Sequence, residues 1–142
     1  MKANELMIGD YIMLYKDIYI IEEISSKGWA HIIHNDGSNC RVPLSTDYIL
    51  GELTPVTLTS EILEKNFNSE KVEFEGRHIE TIYTDRNEFY EISIREYNGG
   101  LWEVEIDEIE FSSLPGWRMY VCNVHELQHA LRLCNINKEI KI

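Results

Sequence analysis

Tyr90-Glu91-Ile92-Ser93-Ile94-Arg95-Glu96-Tyr97-Asn98-Gly99-Gly100-Leu101-Trp102-Glu103-Val104-Glu105-Ile106-Asp107 decides the fold class. Tyr90, Ile92 and Ile94 alternate with Glu91, Ser93 and Arg95. After the Asn98-Gly99-Gly100 turn, Trp102, Val104 and Ile106 alternate with Glu103, Glu105 and Asp107. Two period-two runs joined by glycines specify an antiparallel hairpin with one buried and one wet face, because successive strand side chains point to opposite sides. The alternation begins earlier, with Val72 and Phe74 opposed to Glu73 and Glu75 and then His78 to Thr84, so the hairpin extends into a meander. Its phase slips between Asp107 and Glu108, because Ile109 and Phe111 continue the apolar side on odd numbers, which predicts a β-bulge. Leu114-Pro115-Gly116 ends the run, and Arg118 to Cys122 reads as one more short strand or a lead-in to a helix.

Upstream, five short apolar runs are separated by turn signals: Tyr11 to Tyr15, Ile18 to Ile24, Trp29 to His34, Asn39 to Pro43 and Leu50 to Leu53. Asn35-Asp36-Gly37 is a favoured hairpin turn, since glycine adopts positive φ without steric cost. Five strands at this spacing predict a small SH3-like barrel. Thr59 or Ser60 can cap a two-turn helix in which Ile62, Leu63 and Phe67 face inward.

At the other end, Asn123 is an N-cap candidate with Glu126 in the capping-box position. Val124, Leu127, Leu131 and Cys134 form one apolar stripe at helical spacing, and His125, Gln128, His129 and Arg132 the adjacent polar face. The charged, alternating tail from Asn135 to Ile142 is expected to fray or to add an edge strand.

The 142-residue chain carries a net charge of −12, unevenly distributed. Residues 1–60 hold 4 basic and 8 acidic groups (−4), residues 61–117 hold 5 and 15 (−10), and residues 118–142 hold 4 and 2 (+2). An acidic centre opposes direct phosphate binding, which rests on cationic side chains displacing counterions. With no run of apolar residues long enough for a membrane span and no signal-like start, the expectation is a cytoplasmic protein. Cys40, Cys122 and Cys134, an odd set with no C-x-x-C pair, are expected as reduced, small buried hydrophobes.

One string carries a possible chemistry. His125-Glu126-Leu127-Gln128-His129 spells H-E-x-x-H, which on a helix places two imidazoles one turn apart where both reach a zinc ion, with the glutamate as general base. Its surroundings oppose that reading. With five histidines in a glutamate-rich chain the string arises easily by chance. Arg132 and Asn135 stand where an extended zinc motif has glycine and histidine, and Glu139 is the sole acid downstream. Glu126 already has a capping role. A four-ligand set of Cys122, His125, His129 and Cys134 fails because Cys134 lies on the apolar stripe.

Other constellations are weaker. His31 and His34, three apart in a strand, point to opposite faces. Tyr11, Tyr15, Tyr19, Trp29 and Tyr48 could line a peptide-binding groove but read first as core and rim. The acidic rows Glu73/Glu75, Glu91 and Glu103/Glu105/Asp107 could imitate nucleic-acid phosphates, although a solvated acidic face is commoner.

Three segments resemble one family: Lys2-Ala3-Asn4-Glu5-Leu6-Met7-Ile8-Gly9-Asp10-Tyr11, Leu53-Thr54-Pro55-Val56-Thr57-Leu58-Thr59-Ser60-Glu61-Ile62-Leu63-Glu64-Lys65-Asn66-Phe67, and Val124-His125-Glu126-Leu127-Gln128-His129. The family comprises small uncharacterised proteins of gut anaerobic bacteria and of their phages and mobile elements. Its members carry an E-L-R-I-G-N-like start, a P-L-T-x-E-x-L-x-K-x-G-F centre and a V-H-x-L-Q-N end. The chain departs from the pattern at Asn66-Phe67 and at Ala130-Leu131. The resemblance implies no known activity, cofactor or partner. It does imply that His125, Leu127 and Gln128 are the held positions, whereas those of Glu126 and His129 commonly carry Gln and Asn, so that the zinc-like string is accidental.

The expected protein is α+β: a small N-terminal SH3-like β-barrel over residues 1–58, then over 59–142 a short linking helix, an antiparallel β-meander and a C-terminal helix packed on it, an arrangement also compatible with one continuous domain. The expected function is that of a phage- or prophage-associated accessory protein, of mobile-element type, acting by protein–protein binding on an unidentified partner. No catalytic residue, metal or cofactor is assigned, and no nucleic-acid or membrane contact is expected. His125 and Gln128 are the candidate binding residues. The alternatives are a minimal zinc-dependent hydrolase using His125, Glu126 and His129, and an acidic nucleic-acid-mimicking inhibitor.

Overall fold

The computed structural model describes residues 6–44, 53–74, 76, 78–109 and 116–142. The chain forms two compact units, Met1–Thr57 with Asn123–His125, and Leu58–Cys122 with Glu126–Ile142. It is a mostly-β α+β protein with two five-stranded antiparallel sheets, one helix between them in sequence and one near the C-terminus.

In the first unit, β1 (Tyr11–Leu14), β2 (Asp17–Ser25), β3 (Trp29–His34), β4 (Asn39–Pro43) and β5 (Leu53–Pro55) form a sheet in the order β4-β3-β2-β1-β5. Its core comes from one side of each strand: Ile12, Leu14, Ile21, Ala30, Ile32 and Val42 are buried together with Leu53. Among the described residues no pairing joins β4 to β5, so the expected barrel is not closed. Three-residue β5 pairs with β1, and the preceding residues 45–52, including Leu50 and Tyr48, lie outside the described part.

Two turns set the register of this sheet. Leu14 pairs with Asp17 across a two-residue loop in which both Tyr15 (φ 51°) and Lys16 (φ 78°) are left-handed. That is the primed turn whose twist suits a tight hairpin, built here from residues that disfavour it. Between β3 and β4, the Gly37 N–H donates to His34 O at 2.9 Å, Gly37 takes φ 84°, and Asp36 Oδ1 accepts the Ser38 N–H at 2.7 Å. Asp36 is pulled down to about 2, first by the Ser38 hydroxyl, then by the Ser38 N–H and His34.

In the second unit, Thr59 caps α1 (Ser60–Asn66), its hydroxyl accepting from the Ile62 N–H, and Ile62 and Leu63 are buried. The sheet follows in the order β10-β9-β8-β7-β6: β6 (Asn68–Phe74), β7 (His78–Arg86), β8 (Tyr90–Asn98), β9 (Leu101–Glu108) and β10 (Trp117–Val121). Its buried face carries Tyr83, Ile92, Ile94, Trp102, Val104 and Ile106, as the alternation demands. The Trp102 indole N–H donates to Leu58 O at 3.0 Å, and Tyr83 meets the Trp102 ring edge-on at 5.9 Å.

Three details depart from expectation. Pairing runs in register to Tyr90 opposite Glu108, so there is no bulge at Asp107; β9 simply ends, and Ile109 bonds to Phe89 O at 2.9 Å. The irregularities fall instead at Ile21/Glu23 and Glu96/Asn98. In edge strand β6, Ser69 lies opposite Tyr83, so by register Glu73 shares the side of Tyr83 and Val72 takes the other, yet at this edge Glu73 is exposed and Val72 half-buried.

Helix α2 (Val124–Leu133) ends in a Schellman motif. Asn135 takes φ 58°, its N–H donates to Arg132 O at 2.9 Å, and the Ile136 N–H donates to Leu131 O at 2.8 Å. Leu131 and Ile136, the residues that accompany this motif as an apolar pair, are both buried. The tail neither frays nor forms a strand, because Ile136 and Ile140 are buried and Asn66 holds the Lys141 backbone. No helix among the described residues is long and apolar enough to cross a membrane.

Candidate functional site

The H-E-x-x-H string occupies the first two turns of α2. Glu126 Oε2 accepts the Cys122 N–H at 2.7 Å, so the carboxylate closes over the start of the first turn. This bond satisfies a backbone donor just ahead of the helix start. His125 and Gln128, expected on a polar face, are 6% and 5% exposed, and His129 is half-buried. The buried surface of α2 is therefore wider than its apolar stripe and takes in Val124, His125, Leu127, Gln128, Ala130 and Leu131. Among the described residues, no three His, Cys, Asp or Glu side chains come together in a group able to hold a metal ion.

The start, centre and end segments singled out in the sequence follow burial and turn geometry. At the start, Leu6 is buried, Gly9 adopts φ 86°, and Asp10, fully buried, accepts the Met7 N–H at 2.7 Å while its own N–H donates to Met7 O. Leu-x-x-Gly-Asp thus describes a tight turn into β1. In the centre Leu53, Val56, Leu58, Ile62 and Leu63 are buried, with Thr59 as cap. At the end, Val124, His125, Leu127 and Gln128 are buried while Glu126 and His129 are less so.

The wet face of the second sheet is more structured than a solvated acidic surface. Cross-strand neighbours Arg95, Glu103 and Tyr120 lie in one row. Arg95 donates Nε and Nη2 to Glu103 Oε1, the former at 2.9 Å, and the Tyr120 hydroxyl donates to Oε2 at 3.0 Å. Glu103 is 4% exposed although it points away from the core, because these long side chains roof it. Burial pushes its carboxyl up, but the bonds from Arg95 and Tyr120 and the charges of Arg95 and Arg118 together outweigh that and hold it below the usual carboxylate range. In the next row Arg118 bonds Glu105 at 2.9 Å. The Tyr97 ring meets Tyr120 at 5.0 Å in an edge-on stack, and the two are 62% and 49% exposed.

This row was missed in the sequence, where Glu103 and Glu105 read as acids facing water. Cross-strand register, which no local pattern shows, sets an arginine beside each. For nucleic-acid mimicry the arrangement is unfavourable, since two of the carboxylates are neutralised and Glu73 lies on the other face; Glu75 lies outside the described residues.

Among the described residues of the first unit, the candidate groove aromatics have separate surroundings. Tyr11 is buried, Tyr15 stands exposed in the β1–β2 turn, Tyr19 packs on His34 at 5.2 Å, and Arg41 covers Trp29 at 4.6 Å. His31 bonds Glu22 and Asn39, and His34 pairs with Asp36, so the two histidines serve separate local networks. The cysteines correct a composition rule: Cys40 and Cys122 are exposed and Cys134 is half-buried, all as free thiols. Cys40 lies on the edge strand β4 and Cys122 at a strand end, where alternation gives no core position. Compared with known protein families, curated proteins and solved structures, the chain matches none.

Proposed function

We propose that this chain is a non-catalytic accessory protein that acts by binding another protein through the wet face of its second sheet. The observation that carries this reading is the Tyr97–Tyr120 pair, stacked, exposed, and fixed by the Tyr120–Glu103 bond. Tyrosines held in place before binding lose little conformational freedom on contact and bury large area, which is why such residues serve as interface anchors. The exposed acids Glu91 and Asp107 on the same face favour a partner whose contact surface has a basic rim. The engagement of Glu126 with Cys122 and the burial of His125 support this reading over a zinc hydrolase.

The motif resemblance supports placing the protein among phage and mobile-element accessory proteins, and the exposed free thiols suit a reducing, cytoplasmic setting. The strand order β4-β3-β2-β1-β5 supports an SH3-like arrangement of the first sheet, and the burial of Leu127 and Leu131 supports α2 lying on the apolar face of the second.

The test is affinity capture from extracts of the cells that encode the chain, comparing the native protein with a folded Tyr97→Ala/Tyr120→Ala variant. A defined protein retained by the first and lost by the second is the expected result. Equal retention by both would overturn the assignment of this face.

A further inference from the structure

Within the second unit a cavity of about 490 Å³ opens beside the C-terminal end of α2. Phe89, Tyr90, Glu108 and Asn135 line it, with Asn87 and Asn137 completing a polar rim. Its volume lies in the range of small-ligand sites. Its chemistry is one-sided. Glu108 is an acidic wall residue, Phe89 and Tyr90 are aromatic ones, and the C-terminal end of α2 contributes negative dipole. Among the described residues, none that lines it is a lysine or arginine. Lys138, next in sequence to the wall, is engaged elsewhere, bonded to Asp85 at 2.8 Å and seated over the Phe67 ring at 4.9 Å.

The walls are also held in shape. Asn87 Oδ1 accepts the N–H groups of Phe89 and Tyr90 at 2.8 and 2.9 Å, fixing the loop that carries both rings. The Schellman motif fixes Asn135 and Ile136 on the opposite side. Phe89 is 59% exposed in a setting where this rigid loop holds it at the cavity mouth. The Cys134 thiol, another wall group, stays protonated, because burial and then the Glu108 carboxylate push it up. It adds no competing charge or nucleophile.

We infer that this cavity is a binding site for a guanidinium or primary ammonium group on a short flexible stem, with Glu108 pairing the charge and Phe89 and Tyr90 flanking the stem. Such a group could be a free small amine or the side chain of a basic residue in a peptide, and both present the same chemistry here. The site is separate from the Tyr97–Tyr120 face and does not depend on the function proposed for it.

The experiment is an NMR titration of the whole chain with agmatine, and in parallel with the tripeptide Gly-Arg-Gly, following the backbone amides of Asn135 and Ile136 and the ring of Phe89. Saturable shifts at these groups are expected, with an affinity on the order of millimolar. In Glu108→Gln, whose unchanged melting temperature serves as the folding control, affinity should fall roughly tenfold, as loss of one charge-assisted bond implies. Tighter binding of agmatine points to a free amine and tighter binding of Gly-Arg-Gly to a peptide, and either ranking supports the site. Absence of saturable shifts, or binding by Glu108→Gln equal to that of the native chain, overturns it.

Discussion

The Asn66 side-chain amide grips the backbone of Lys141 from both directions: its Nδ2 donates to Lys141 O and its Oδ1 accepts the Lys141 N–H, each at 2.8 Å. One carboxamide thereby imitates a strand partner and pins a tail that has no secondary structure of its own. The same Nδ2 also donates to Ile62 O at 2.7 Å, closing the end of α1.

Removing the clamp should destabilise the second unit by about 1–2 kcal/mol in Asn66→Ala, as expected for losing one partly buried and two exposed hydrogen bonds. Asn66→Asp, nearly the same shape, should be worse than Ala, because a carboxylate would face the carbonyls of Ile62 and Lys141. Urea denaturation of the three proteins checks this. An Asp variant as stable as the native chain would show that the clamp does not hold.

The β1–β2 turn should respond in the opposite sense. Tyr15 and Lys16 both adopt positive φ, which costs roughly 1–2 kcal/mol per non-glycine residue, partly offset in any glycine variant by greater freedom of the unfolded chain. Tyr15→Asn/Lys16→Gly, the preferred pair for this turn, should raise stability by about 1 kcal/mol. A lower melting temperature in that variant would contradict the turn geometry.

Glu103 should make stability depend on pH. Its folded carboxyl lies below the ordinary value of 4.5, so its stabilisation is complete above that value and is lost as the pH falls through the lower folded value. Glu103→Gln should therefore cost about 2–3 kcal/mol at pH 7, where Arg95 loses its charged partner, and progressively less below pH 4.5. Denaturation at pH 7 and pH 3 measures both. A cost that does not change with pH would remove the carboxylate from the explanation.

Much of the fold was legible because it rests on short-range chemistry. β3 and β4 begin and end where alternation and turn residues place them, and of the two cap candidates Thr59 and Ser60 it is Thr59 that caps α1. What escaped is set by distant neighbours. The burial of His125, Gln128, Ile136 and Ile140 depends on which elements cover them, and the roofing of Glu103 depends on cross-strand register. The aromatic pair was hidden for the same reason, since Tyr97 and Tyr120 are 23 positions apart and meet only through the β8–β9–β10 pairing. The contact between Glu126 of the zinc-like string and the Cys122 N–H was likewise hidden, because it depends on how the chain enters the helix.

The string itself yields a graded prediction. Glu126→Gln keeps an acceptor oxygen and should be nearly as stable as the native chain, whereas Glu126→Ala should cost roughly 1 kcal/mol, the usual effect of losing a cap. His125→Ala should be more damaging than His129→Ala by about 1 kcal/mol or more, because the buried imidazole is the one the fold encloses. Equal tolerance at both histidines would deny His125 its place in the interior.

The most direct test of the claim that these residues hold the helix rather than a metal is the zinc content of the purified protein, prepared without any metal-affinity step. The account predicts far less than one equivalent per chain, and a melting temperature unmoved by zinc or by chelator. About one equivalent of tightly held zinc, lost in His129→Ala, would contradict it.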